Sequence, residues 1–145
     1  MRISTRGDYG LRAMLELAQR YGEGLVPSRE IAVRQGIPES YLDQLLTVLS
    51  KARLLRSARG PQGGHSLAQP PDKIRLSDVV IALEGSVAPV SCVADQGDCS
   101  LTNACVLREV WQKIEDVTLE VLASITLEDL VKRQQARRTE AIYYI

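Results

Sequence analysis

The segment from Pro27 to Lys51 constrains the fold most, because it contains two helical stretches separated by a short turn. Ser28 is expected to cap a short first helix. Glycine and proline in the turn at Gln35–Pro38 end that helix. A longer helix is predicted from Glu39 to Lys51, with its leucines on one face. This order is typical of a helix-turn-helix, although an ordinary helical hairpin has the same pattern.

A predicted β-hairpin follows the second helix directly. Two short β-prone runs, Leu54–Ser57 and His65–Ala68, flank the glycine-rich turn Arg59–Gly64. A hairpin in this position is the wing of a winged helix-turn-helix. Glycines without a Cβ allow the turn, with Arg59 at its tip, to approach a phosphate or the minor groove closely.

Two further helices are expected around this motif. The first begins near Thr5, with Thr5 as N-cap and Asp8 three residues later, and ends before Gly22. The other is capped by Ser77 and ends near Leu83. The core has to be aliphatic, because the chain contains no phenylalanine.

A long helix is predicted from Asn103 or Cys105 toward Ser124. It carries a broad apolar seam, formed by Val106, Val110, Trp111, Ile114, Val117, Val121, Leu122 and Ile125. We call the unit formed by the preceding helices and the wing the head. A rod of about 30 Å cannot bury this seam on the small head alone, so we expect it to pack against a second copy. A new cap at Thr126 then starts a short helix.

The charge of the chain is distributed unevenly. The net charge is zero, but residues 1–60 contain ten Lys/Arg against six Asp/Glu, whereas residues 61–145 contain eight against twelve. A basic half beside an acidic half is expected when one half meets phosphate.

The helices and the hairpin together predict a fold that is mostly α-helical with a small β-hairpin wing. It divides into a winged helix-turn-helix DNA-binding domain (1–85), a cysteine loop (86–104), and a dimerisation helix with a C-terminal segment (105–145).

All three cysteines, Cys92, Cys99 and Cys105, lie within fourteen residues. Structural zinc sites usually place cysteine pairs two to four residues apart, so these wider gaps favour a larger object. Iron–sulfur clusters are held by thiolates, and the flanking small and polar residues allow the loop to bend around one. Zinc binding and redox-active or inert thiols are the alternatives.

Three thiolates leave one position open on a cluster. The only histidine, His65, is predicted to lie in the wing, away from the loop. An oxygen ligand, solvent or a small thiol would then complete the site. Among carboxylates, Asp43 and Asp8 are the candidates, with Glu109 as a third.

Other features bound the class of protein. Apolar runs are shorter than the roughly 20 residues that a membrane helix needs, and no signal-peptide pattern follows the first charges. We therefore expect a cytoplasmic protein that does not act at a membrane. No Cys–His pair, cofactor fingerprint or convergent carboxylates accompany the loop, so we expect no enzyme.

Four motifs together resemble one family. They are the opening Met1–Gly10, the run Ser40–Leu45, the wing Arg59–Gly64 and the cysteine loop Cys92–Cys105. Over essentially the whole chain, the sequence is similar to the IscR-type winged-helix regulators. This family includes the iron–sulfur biogenesis regulator IscR, the nitric-oxide sensor NsrR and the cysteine-metabolism regulator CymR.

The resemblance implies a homodimeric transcription factor, here a repressor, that binds operator DNA. Gln44 is suited to bidentate pairing with adenine, and Asp43 to accepting from cytosine N4. Arg59 would enter the minor groove. The complete set of expected DNA-binding residues is Ser28, Ser40, Tyr41, Asp43, Gln44, Arg59 and Gly60.

The resemblance also implies that the three cysteines hold a cluster, with 2Fe–2S favoured over 4Fe–4S. The function expected is control of iron–sulfur biogenesis genes. Arg108 stands where the IscR pattern has a histidine. Asp8 resembles the acidic residue that NsrR-like members place near the cluster across the dimer, so a nitric-oxide-responsive repressor is an alternative. The tail Ala141–Ile145 resembles that of CymR, which lacks the three cysteines. A CymR-like regulator controlled by a partner protein or by thiol oxidation is the other alternative.

Overall fold

The structure, a computed structural model, describes residues 2–95, 100 and 104–143. In chain order its helices and strands are α1 (Thr5–Gln19), α2 (Ser28–Gln35), α3 (Glu39–Lys51), β1 (Leu55–Ala58), β2 (Gly64–Leu67), a 3-10 turn (Pro71–Lys73), α4 (Leu76–Glu84), α5 (Ser91–Ala94), α6 (Val106–Ala123) and α7 (Leu127–Tyr143). The predicted architecture, mostly helical with a small antiparallel hairpin, is confirmed.

Helices α2 and α3 form the predicted helix-turn-helix. Helix α2 ends at Gly36, which has a left-handed conformation (φ 64°) that glycine adopts without steric cost. The N–H of Ile37 then donates to the carbonyl of Ala32 (3.0 Å), and Pro38 is the N-cap of α3. The buried face of α3 consists of Leu42, Leu45, Leu46 and Leu49. These positions recur at helical spacing, so α3 is held in the core by one continuous apolar stripe.

Strands β1 and β2 form the wing, and each lies one residue away from its predicted position. They pair antiparallel with Leu55 opposite Leu67, and both of these side chains are buried. Val26, in the loop between α1 and α2, exchanges two backbone hydrogen bonds with His65, both 2.8 Å long. The wing is therefore attached to the segment that precedes α2 as well as to α3.

Helix α1 crosses α4 at close range. A methyl group at Gly10 would overlap Leu83 of α4, so the two helices approach through a position that has no side chain. At the start of α1, Glu84 accepts hydrogen bonds from both the backbone N–H and the hydroxyl of Ser4. The last residue of α4 is thus tied to the first turn of α1.

Three predicted N-caps are wrong by one or two residues. Thr5 and Ser28 are the first residues of their helices, and Ser77 is the second residue of α4. The observed N-caps, each with extended backbone, are Ser4, Pro27 and Arg75. Composition indicates that a helix starts nearby, but the backbone angles decide which residue caps it.

Helix α7 is longer than the short helix predicted, with 17 residues. Its predicted cap is confirmed: the hydroxyl of Thr126 accepts from the N–H of Asp129 (3.1 Å), and the Asp129 carboxylate accepts from the N–H of Thr126 (2.9 Å). The hydrogen bond from the Thr126 backbone N–H to this carboxylate lowers the pKa of Asp129. Leu127 is fully buried in the same core as α1–α4, so the chain returns to the head after α6.

Helix α6 contrasts with this core, since none of its residues is buried in the chain as described. Its four valines are half exposed or more, with Val106 at 75%, Val110 and Val117 at 50% and Val121 at 53%. These four residues, which we call the α6 stripe, belong to the predicted seam. Among the described helices, none has both the length and the apolarity that a membrane crossing requires.

Candidate nucleic-acid interface and cysteine site

The exposed side of α3 carries most of the residues predicted to bind DNA. Ser40, Asp43 and Gln44 are exposed, because the leucines of the same helix face the core. Tyr41 is half-buried, and its ring meets that of Tyr9 edge-on with centroids 5.9 Å apart. Helix α1 therefore helps to fix the start of α3, and less of Tyr41 is free for a base contact than of its three neighbours.

The predicted contacts outside α3 lie at the wing tip and the start of α2. Arg59 and Gly60 are exposed in the turn between β1 and β2, and the N–H of Gly63 closes that turn by donating to the Gly60 carbonyl (2.9 Å). Ser28 is half-buried as the first residue of α2. Both elements pack with α3, so the surface is built from one packed unit.

His65 links the wing to α3. Its Nδ1 is 2.7 Å from the hydroxyl of Ser57, and that hydroxyl is 3.5 Å from the hydroxyl of Ser50 on α3. Burial lowers the pKa of His65, and the negative charge of Asp43 partly opposes this shift. The neutral imidazole is therefore favoured at this place. Asp43 lies close enough to affect the wing, on the side of the head that carries the predicted DNA contacts.

Two of the predicted cluster cysteines are described. Cys92 is in the first turn of α5 and Cys105 directly precedes α6; both are half-buried free thiols. Helices α5 and α6 pack against each other, so these cysteines lie on adjacent elements. Cys99 lies outside the described residues. Within the part that is described, no three His, Cys, Asp or Glu side chains are grouped as a metal site.

Arg108, close to Cys105, carries buried hydrogen-bond donors that have no partner among the described residues. It follows Cys105 by three residues in the first turn of α6, and its N–H donates to the Cys105 carbonyl (3.3 Å). In the described structure, its Nε and Nη2 are buried and have no hydrogen-bond partner. Buried donors of a charged group are costly when unpaired, so an anionic group beside the start of α6 would suit this side chain.

The carboxylates considered as fourth ligand lie in different places. Asp43 is on α3 beside the wing, as the effect of its charge on His65 shows. Asp8 is in the first turn of α1, with its side chain 62% exposed and 3.7 Å from Arg12 Nη1. Glu109 is exposed on α6. The described part of a single chain brings none of them together with both Cys92 and Cys105.

Sequence reasoning missed a row of charged residues on α1. The row alternates in sign at every fourth position and comprises Asp8, Arg12, Glu16 and the C-cap residue Arg20. Glu16 is only 4% exposed, which is unusual for a carboxylate. The four-residue spacing was visible in the sequence, since it places the side chains on one helix face. The burial of Glu16 was not visible in the sequence, because it depends on contacts with α2.

The comparisons with known proteins agree with this geometry. A family model for Rrf2, described as an iron-dependent transcriptional regulator, matches residues 3–133. The chain belongs to the Rrf2 family. This Rrf2 chain is therefore a DNA-binding transcriptional regulator and not an enzyme, and the predicted membership of the IscR-type regulators is confirmed.

Curated relatives of this Rrf2 regulator carry two different names. It is 39% identical over 145 residues to the HTH-type transcriptional regulator CymR of Bacillus subtilis, with 100% of both chains covered. It is 38% identical over 135 residues to the HTH-type transcriptional regulator IscR of Xenorhabdus nematophila, covering 93% of this chain and 82% of the relative. Identity alone does not separate the two.

Solved structures of relatives share the fold of this Rrf2 regulator. The structure of CymR, the global cysteine regulator of B. subtilis, matches with a TM-score of 0.77 and 40% identity, covering 92% of this chain and 98% of that one. T. potens IscR matches with a TM-score of 0.76 and 42% identity, covering 92% and 88%. The winged-helix fold is thus common to both kinds of relative.

Proposed function

We propose that this Rrf2 regulator is a homodimeric repressor in the cytoplasm whose binding to operator DNA depends on an iron–sulfur cluster held by Cys92, Cys99 and Cys105. The observation that carries the proposal is the placement of Cys92 and Cys105. Their half-buried free thiols stand at the starts of two helices that pack together. We favour a 2Fe–2S cluster over 4Fe–4S, and iron–sulfur biogenesis genes as the targets.

The donor set fits such a cluster. Thiolate sulfur is the ligand that iron–sulfur clusters use, and Cys105 is at the N-terminus of an 18-residue helix, where negative charge is stabilised. The unpaired Nε and Nη2 of Arg108 offer further positive charge one turn away. When bound, the cluster would supply a group whose presence or charge changes with iron, oxygen or nitric oxide. For the fourth ligand we favour Asp8 from the second subunit over Asp43, because Asp43 lies beside the wing.

The dimer follows from the exposed α6 stripe. Eighteen residues make a rod about 27 Å long, and the four valines of the α6 stripe are at least half exposed in the described chain. A second copy of α6 would cover both stripes at once, as a two-fold interface does. Two recognition helices would then face DNA together, with half-sites about one helical turn apart.

The segment between Cys92 and the head connects cluster binding to DNA binding. Cys92 follows α4 by eight residues, and Glu84, the last residue of α4, holds Ser4 at the start of α1. A change in the cysteine segment therefore acts on the end of α4 and on α1, against which α2 and α3 pack. In the operator complex, Gln44 would read adenine and Asp43 cytosine N4, while Arg59 enters the minor groove from the wing.

The test is anaerobic purification followed by iron and sulfide analysis and visible absorption spectra. We expect a brown wild-type protein, a colourless Cys92→Ser variant, and an altered electron paramagnetic spectrum for Asp8→Ala but not for Asp43→Ala. Operator binding by cluster-loaded and cluster-free protein should differ in affinity or sequence preference. A colourless, iron-free protein after anaerobic reconstitution would contradict the cluster, and bound zinc would indicate a structural zinc site instead.

A CymR-like regulator of cysteine metabolism is the second candidate, and the full-length match to CymR of B. subtilis favours it. One similar structure is of the oxidized form of Staphylococcus aureus CymR. In that case Cys92 and Cys105 would be redox thiols, and a partner protein would dock on the dimer. Operator binding that changes with peroxide and is restored by a dithiol, in iron-free protein, would favour this function over the cluster.

A further inference from the structure

Helix α1 contacts the helix-turn-helix through the charged row that includes Arg12, Glu16 and Arg20. Arg20 Nη1 is 2.6 Å from the Glu30 carboxylate near the start of α2. The other two reach the opposite end of α2, where the turn begins. The row therefore holds α2 at both ends.

Glu16 is the buried member of this row. Its Oε2 accepts a hydrogen bond from Gln35 Nε2 (3.0 Å), and its Oε1 lies 3.4 Å from Arg34 Nη1. Arg34 and Gln35 are the last two residues of α2. A buried carboxylate persists when donors surround it, and replacing it by an amide removes the negative charge and one of the two acceptor oxygens that face those donors.

Arg12 holds the same residue from the other side. Its Nη2 donates to the backbone carbonyl of Gln35, one of the carbonyls that have no partner within the helix at a C-terminus. Gln35 is therefore fixed by its side-chain amide through Glu16 and by its main chain through Arg12. The next residue is Gly36, whose left-handed conformation turns the chain toward α3.

We propose that Glu16 is a positioning residue for operator recognition, which sets the direction of α3 by fixing Gln35 at the start of the turn. The proposal rests on the proposed DNA contacts of α3, and above all on Gln44. A small rotation of Gln35 is carried through the three-residue connection Gly36–Pro38 into α3. Base contacts depend on such placement far more than phosphate contacts do. Glu16 touches no DNA in this scheme and acts only through Gln35.

The test compares Glu16→Gln with Glu23→Gln. Both remove one negative charge without changing side-chain size, but Glu23 is 63% exposed and pairs only with Arg20 at 3.7 Å among the contacts described. An operator is first selected from random duplexes with the wild type. Affinities for this operator and for an unrelated duplex are then measured at a temperature at which circular dichroism shows every variant folded.

We expect Glu16→Gln to weaken operator binding about tenfold, equivalent to about 1.4 kcal/mol, and to leave binding to the unrelated duplex at the level of Glu23→Gln. A double-mutant cycle with Gln44→Ala separates positioning from a general effect on stability. If Glu16 acts by aiming Gln44, its effect on operator affinity should largely vanish in the Gln44→Ala background.

Additive effects in the cycle, or unchanged operator affinity in Glu16→Gln, would overturn the positioning role. Should Glu16→Gln not fold, Gln35→Met removes the donor of the hydrogen bond to Glu16 and should also cause a loss of operator selectivity. A wild type that enriches no sequence would overturn the proposed DNA contacts, and this proposal with them. If the wild type selects an operator but Gln35→Met binds it with unchanged affinity and selectivity, only the positioning role is overturned.

Discussion

Helices α3 and α6 are both amphipathic, but they differ in how much of the apolar face is buried within the chain. Helix α3 buries four leucines completely or almost so in the head, whereas α6 leaves its aliphatic stripe about half exposed or more. Buried apolar surface contributes about 25 cal/mol per Å², so the first face stabilises the single chain and the second does not. The difference indicates that the head is stabilised by its own core, while α6 needs a second surface to cover its stripe.

The largest expected effect comes from the α3 side of this comparison. Leu46→Ala should lower the free energy of unfolding by about 2–5 kcal/mol, because it removes a side chain that is 1% exposed and leaves a cavity. Urea unfolding monitored by circular dichroism measures the loss. Val33→Ala on α2, where the side chain is 75% exposed, is the matched control and should stay within about 0.5 kcal/mol of wild type. Equal losses in both variants would show that the α3 face is not the core.

The α6 side is tested by Val117→Asp, in the middle of the stripe. If a second copy covers this face, a carboxylate there is buried without a partner, and dimer affinity should fall at least tenfold. Sedimentation at several concentrations measures the dimer, and near-wild-type helicity would show that the head persists. Asp116→Lys, a larger charge change at an exposed position on the same helix, should leave the dimer intact. A Val117→Asp variant that dimerises like wild type would contradict pairing through α6.

The smallest effect concerns pH and is confined to the head. Burial lowers the pKa of His65 below its ordinary value of 6.5, so the unfolded chain binds a proton more readily than the folded one. The corresponding stability is present above pH 6.5 and is lost as the pH falls through the lower pKa of the folded state. Urea midpoints between pH 8 and pH 5 should therefore decline more steeply for wild type than for His65→Gln. His65 is the only histidine, and parallel curves would exclude it as the cause.

Much of the fold could be predicted from local signals. Gly36 and Pro38 end one helix and begin the next, and the leucine spacing of α3 identifies its buried face; both depend on neighbours within a few residues. The wing was predicted from two β-prone runs on either side of a glycine-rich turn, and each strand lies one residue from its predicted position. Caps were less certain, since Ser4 and Thr5 are equally suitable by residue type and only the backbone angles distinguish them.

The sequence indicated which residue types belong to the candidate sites, but it did not indicate where the fold places them. Three cysteines in fourteen residues indicated a thiolate site, and Cys92 and Cys105 do lie on adjacent helices. Asp43 and Asp8 were equivalent as ligands on residue type alone. The structure separates them, because α3 carries Asp43 to the wing and α1 carries Asp8 to the start of the chain near the end of α4.

The sequence by itself determined the turns, the helical periods and the concentration of thiols, since these depend on residues that are close along the chain. Only the tertiary structure decided that Leu127 returns to the core of the head, that Glu16 is buried against Gln35, and that the α6 stripe stays uncovered. Each of these depends on which distant segments meet. Burial and the pairing of charges are properties of contacts between elements, and no local pattern contains them.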